Sequence, residues 1–142
     1  MKMKLVLALS AALLAAPSFA SHPQCGETEL AGVMGDMKDA MKAYKKAFKA
    51  DDDAKMTQVS SDLLKMIDKS TDLVPLKITD KKELNAAEQA KFEKYQKGMN
   101  FLKEAVTKLH NAENAEAKKA ALKMIGKASK KGHKAFKMKC DD

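Results

Sequence analysis

Apolar residues recur at three- and four-residue steps along most of this chain, and no stretch alternates with a period of two. Leu30, Val33, Met34, Met37, Met41, Tyr44 and Phe48 fall on one face of a helix over about 28–50. Asp51-Asp52-Asp53 ends it and offers an N-cap to a second helix, about 54–70, whose inner face carries Met56, Val59, Leu63, Met66 and Ile67. The connection over about 71–80 is broken by Pro75, and its Leu73, Val74, Leu76 and Ile78 suit a cover over one end of a core. Asp80 followed three residues later by Glu83 resembles a capping box. It predicts a third helix over about 81–111, with Leu84, Ala87, Phe92, Tyr95, Met99, Leu102, Val106 and Leu109 turned inward. Asn111 to Asn114 make a short turn, and a fourth helix over about 115–139 carries Ala117, Ala121, Ile125, Ala128, Gly132 and Phe136.

Four amphipathic helices with mostly short connections predict an all-α fold, an antiparallel up-down-up-down four-helix bundle. An even number of helices returns the chain to the end where it began. Cys25 and Cys140 stand at the two ends of the helical region, so this topology brings them together. An even pair of cysteines in an oxidising compartment favours a disulfide. Closing a loop of more than a hundred residues is worth up to about 4–5 kcal/mol on chain-entropy grounds. Neither cysteine lies in a C-x-x-C-H, so covalent haem attachment is not indicated.

The first twenty residues read as a signal peptide rather than as part of the fold. Lys2 and Lys4 are a positive start, Leu5 to Ala16 an apolar run, and Ser18-Phe19-Ala20 a small-x-small cleavage site. The expectations are cleavage after Ala20, a single domain over 21–142, a periplasmic location, no stable membrane insertion and a monomer. Loss of Lys2 and Lys4 lowers the formal net charge from +8 to +6, and every strongly basic residue is lysine. Such a surface is ordinarily a solvated face, though it could meet an acidic redox partner. Nucleic-acid binding is not expected, because the lysines are spread out without interleaved aromatics.

Candidate chemistry lies near the two ends. Met34 is nine residues after Cys25 and His133 seven before Cys140, which places both roughly 10–14 Å from one end of the bundle. Gly32 and Gly35 bracket Met34, although each glycine inside a helix costs about 1 kcal/mol relative to alanine. Gly126, Ser129 and Gly132 lie on the side of His133. Leu30, Met37, Met66 and Phe92, with Tyr95 at the edge, could form an apolar wall. A thioether and an imidazole at matched depth, with small neighbours, suit a haem iron held between two helices. Other readings fit the same residues. Methionines on a core face are ordinary packing, and a histidine near a helix C-terminus is favoured by the helix dipole. Met34, Met37 and Met41 could also bind Cu(I), or the bundle could be a chaperone-like module with neither metal nor haem. No enzyme is indicated. His22 lies in a terminus expected to fray and His110 at the opposite end from His133, and no nucleophile–base pair stands out.

Leu30-x-x-x-Met34-x-x-Met37-x-Asp39-x-Met41-Lys42 resembles the start of the soluble periplasmic cytochrome b562 proteins. His133-Lys134-Ala135-Phe136-Lys137 resembles that family's closing pattern, with Leu109 and Asn111 at the family's spacing from His133. The resemblance spans nearly all of 21–142. It implies a non-covalently bound b-type haem, with Met34 and His133 as axial iron ligands and an electron-transfer role toward a redox partner. Leu30, Met37, Phe92 and Ser129 would then lie around the cofactor. Two positions depart from the pattern: Gly132 stands where the family usually has an aromatic residue, and Ser129 where it commonly has arginine.

Overall fold

The fold is described from a computed structural model that covers residues 22–140. The expected signal peptide and its cleavage after Ala20 lie outside the described residues. Four helices follow in order: α1 Glu29–Lys49, α2 Asp53–Thr71, α3 Ala86–Asn111 and α4 Ala115–Phe136. No strand occurs among the described residues.

Side-chain caps set the helix starts. Thr28 accepts from the Ala31 amide at 3.1 Å, Asp52 from Lys55 at 3.0 Å and Asn114 from Ala117 at 2.8 Å. The tight turn between α1 and α2 passes through Asp51 at φ 53°, a left-handed conformation that aspartate tolerates better than most residues. The third helix starts later than its sequence pattern predicts. Asn85 and Glu88 form the capping box, each side chain accepting from the other's amide at 2.9 Å. Asp80, the expected cap, instead bonds the His22 imidazole at 3.2 Å. Leu84 therefore sits in the connection, and Ala87 is exposed. The fourth helix ends at Phe136, and residues 137–140 are not helical. Asn85→Ala should cost about 1 kcal/mol in urea denaturation, with Asp80→Ala costing less.

The expected apolar stripes make the core. Val33, Met37, Tyr44, Met56, Val59, Leu63, Ile67, Tyr95, Met99, Val106, Leu109, Ala121 and Ile125 are all buried. Ala105 is also fully enclosed, at 0 % exposure, a position where a small side chain lets two backbones approach. The Tyr95 hydroxyl donates to the Ser70 carbonyl at 2.6 Å, tying α3 to the end of α2. Burial raises the Tyr95 phenol far above its ordinary range, so it stays a donor.

Helices pack in chain order, α1 on α2, α2 on α3 and α3 on α4. No Cα of α1 comes within 8 Å of any Cα of α4. The bundle is thus closely packed along three seams and open along the fourth.

Candidate functional site

One end of the bundle gathers the start of α1, the end of α2, the start of α3 and the end of α4. There Cys25 and Cys140 form a disulfide, with Cα atoms 5.7 Å apart. The chain between α2 and α3 caps this end. Leu73 and Ile78 pack against the core, and Pro75 is buried. Lys77 donates to the Lys134 carbonyl at 3.4 Å, and the His22–Asp80 pair fastens the N-terminal segment to the same connection. The segment around His22, expected to fray, is anchored by this contact. The His22 hydrogen bond, followed by a backbone one, holds the Asp80 carboxyl below the usual carboxylate range.

The open seam runs between α1 and α4. Met34 is in the second turn of α1, half-buried and packed against the core edge. On the helical wheel, Met34 and Met41 lie to one side of the Val33–Met37–Tyr44 line, and Ala40, Ala43 and Ala47 lie to the other. The alanine side allows the close approach of α2, which leaves the methionine side to the seam. Met37 is only 8 % exposed and belongs to the core, so Met34, Met37 and Met41 do not present three thioethers to one outside site.

On α4, Ala121 and Ile125 point inward. Gly126, Ser129 and His133 follow at three- and four-residue steps and share one flank. A Cβ built at Gly126 or Gly132 would meet nothing within 4 Å, as at every glycine among the described residues, so it is the position of Gly126 on the His133 flank that bears on the seam. Gly32 and Gly35 do not serve the site as the sequence reading has it. Both are exposed on the outer side of α1, away from the flank of Met34.

His133 lies in the last turn of α4 and is exposed. Desolvation by the surrounding chain lowers its pKa below the ordinary histidine value, and the positive charge of Lys137 adds to this. The imidazole is therefore neutral at pH 7, with a nitrogen lone pair available. Among the described residues its ring has no hydrogen-bond partner. Leu30 is half-buried beside Met34, and Ser129 is half-buried next to the glycines. Phe92 stacks on Tyr95 at 5.9 Å, and Tyr95 meets the edge of Phe136 at 5.5 Å. Tyr95 thus ties this end of α3 to α4, with Phe92 stacked beside it on the same helix. Phe136, read from the sequence as part of the apolar stripe and of the closing pattern after His133, is the α4 side of that contact.

The opposite end holds a crevice of about 320 Å³ lined by Tyr44, Met56, Ser60 and His110, among others. It is a poor rival for a macrocycle. Its volume is at the bottom of the range for small-molecule pockets, about 300–1,000 Å³. His110 Nδ1 is engaged by the Ser60 hydroxyl at 2.7 Å, and Met56 is 4 % exposed. Burial, then the Asp53 carboxylate, raises the Tyr44 pKa. Among the described residues no group of three or more His, Cys, Asp or Glu could hold a metal ion. Nor is any helix there long and apolar enough to cross a membrane.

The donor chemistry at the seam fits haem: a half-buried thioether on one flank, a neutral imidazole on the other, and glycines that leave room for a flat ring. The protein is an all-α four-helix bundle whose first and last helices are not closely packed on each other. The chain matches the Cytochrome b562 family over residues 30–137 and belongs to that family. No curated protein and no solved structure matches it.

Proposed function

We propose that the protein is a periplasmic electron carrier holding one non-covalent b-type haem, with Met34 and His133 as the axial iron ligands. The mature domain would be 21–142, after removal of residues 1–20. The observation that carries this reading is the open seam at the disulfide-tied end, with Met34 on one flanking helix and His133 on the other. Membership of the family supports the cofactor. When bound, haem supplies a one-electron Fe(II)/Fe(III) couple.

The chain's own residues give that couple its character. Two side-chain donors leave no coordination position for oxygen or substrate, so the site carries electrons and is not an enzyme. The Met34 thioether, a soft donor, favours the reduced state. The core edge at Leu30 and Met37 excludes water from one side of the seam and disfavours the extra charge of the oxidised state. The disulfide ties the start of α1 to the end of α4, and the Tyr95–Phe136 contact holds α4 against α3, so little reorganisation accompanies each electron.

The test is an absorption spectrum of the exported protein before and after haemin addition, oxidised and then reduced. Low-spin bands that sharpen on reduction, from a haem extractable into acidic solvent, are expected. Copper retention without haemin uptake would favour a Cu(I) site, and neither would favour a cofactor-free helical module. Proton competition at His133 gives a further prediction. Its pKa lies below the ordinary value of about 6.5, so haem affinity holds down to that pH. Below the His133 pKa, affinity then falls by up to about tenfold per pH unit. A haemin titration from pH 8 to pH 4 checks this, and a loss already complete above pH 7 would contradict it.

A further inference from the structure

The charge of the protein is concentrated on one helix. Residues 22–114 carry 16 lysines and 16 acidic residues, a net charge of zero. Residues 115–142 carry 9 lysines against Glu116, Asp141 and Asp142, a net charge of +6. Acidic residues on the first three helices and in their connections balance those lysines, four of them in direct pairs: Lys42 meets Asp39 at 3.6 Å, Lys65 meets Asp62 at 3.8 Å, Lys69 meets Glu29 at 3.1 Å and Lys103 meets Asp68 at 2.6 Å. Of the lysines on α4 and its tail, only Lys118 contacts a carboxylate among the described residues, Asp53 at 3.0 Å.

These lysines share the side of α4 opposite Ala121 and Ile125. Lys119, Lys123, Lys127 and Lys131 follow at four-residue steps, with Lys130 and Lys134 beside them, and all six are exposed. Like charges at that spacing destabilise the helix that bears them. Acidic residues placed among them, as Asp62 and Asp68 stand among Lys65 and Lys69 on α2, would give equal solubility without this repulsion. The lysine face also borders the flank that carries His133, beside the open seam.

We propose that the outer face of α4 is the docking surface for a redox partner protein with an acidic patch. This rests on the haem reading for its purpose, while the surface itself does not depend on haem. A protein partner fits better than a lipid surface. Interfacial helices insert large apolar side chains, whereas the one exposed large apolar residue among the described residues is Phe101, on α3. Nucleic acid fits less well, because the face has neither arginine nor aromatic side chains to stack on bases. Positive potential beside the seam would raise the encounter rate and turn the cofactor edge toward an acidic partner.

Two experiments on the full chain test this, with poly-L-glutamate as the acidic probe. In NMR titrations at low salt, with and without haemin, α4 amides should shift while the lysines of α1 and α3 stay in place. Lys123→Glu/Lys127→Glu/Lys134→Glu should weaken binding by about tenfold or more, and Lys91→Glu/Lys94→Glu/Lys97→Glu on α3 by much less. The corresponding Lys→Gln set on α4 guards against loss of the helix and should show a smaller effect in the same direction. In stopped flow, the reduced holoprotein should lose rate toward anionic ferricyanide in the α4 variants and gain rate toward cationic hexaammineruthenium. Equal loss from both triple variants would overturn the proposal. So would tighter binding to phosphatidylglycerol vesicles or duplex DNA than to the polypeptide at equal charge. The titration without haemin reads the surface even if no haem binds, so its failure is distinct from failure of the haem reading.

Discussion

His133→Ala is expected to abolish the low-spin spectrum and weaken haem binding by about a hundredfold or more, roughly 3 kcal/mol. The side chain contributes nothing to the packed core. It is exposed, and its ring bonds to no other described residue. The apoprotein should therefore keep its fold and unfold at nearly the wild-type urea concentration, so that lost cofactor is not confused with lost structure. Met34→Ala should give a five-coordinate, high-spin centre, with a modest stability cost because Met34 packs at the core edge. His110→Ala is the matching control. That imidazole is tied to Ser60 at the far end, and its loss should leave the spectrum unchanged. A low-spin spectrum in His133→Ala would remove His133 as a ligand and turn attention to His110 or His22.

Much of this arrangement is legible in the sequence because it is local. The stripes of α1, α2 and α4 follow from period and helix-former composition, and the buried positions in the structure are largely those the period selects. The disulfide follows from cysteine parity and an even helix count. The start of α3 is not legible in this way. Two pairs, Asp80 with Glu83 and Asn85 with Glu88, offer the same capping pattern five residues apart. In the structure Asn85 caps the helix while Asp80 bonds His22, a partner 58 residues away in the chain. A fixed distance from the cysteines places Met34 and His133 at one depth, but spacing alone assigns them no flank. The wheel already puts Gly32 and Gly35 on the outer side of α1, a distinction that counting neighbours along the chain overlooks. The open seam is the least legible feature. It is an absence of contact between helices from the two ends of the chain, and no local pattern encodes it beyond the glycines of α4.

Breaking the disulfide is the second large effect. Cys25→Ser/Cys140→Ser should lower the stability of the apoprotein by about 2–4 kcal/mol, since the bridge closes a loop with a sequence separation of 115. The same substitution should act on the cofactor as well. Along the α1–α4 seam no backbone contact opposes separation of the two helices, so at that end the bridge ties them directly. Without it the apoprotein samples wider seams, and binding must first narrow them. Comparing apo and holo forms separates these two actions. If the bridge only restricts the unfolded chain, both forms lose the same stability. If it also sets the width of the seam, the holoprotein loses more, by about 1.4 kcal/mol for each tenfold loss of haem affinity. The second outcome is expected, with affinity reduced by about tenfold. Paired urea titrations of the double variant and the parent, with and without haemin, give both numbers. Equal losses in the two forms would confine the bridge to the unfolded state and leave the Tyr95–Phe136 contact as the element that holds α4 in place.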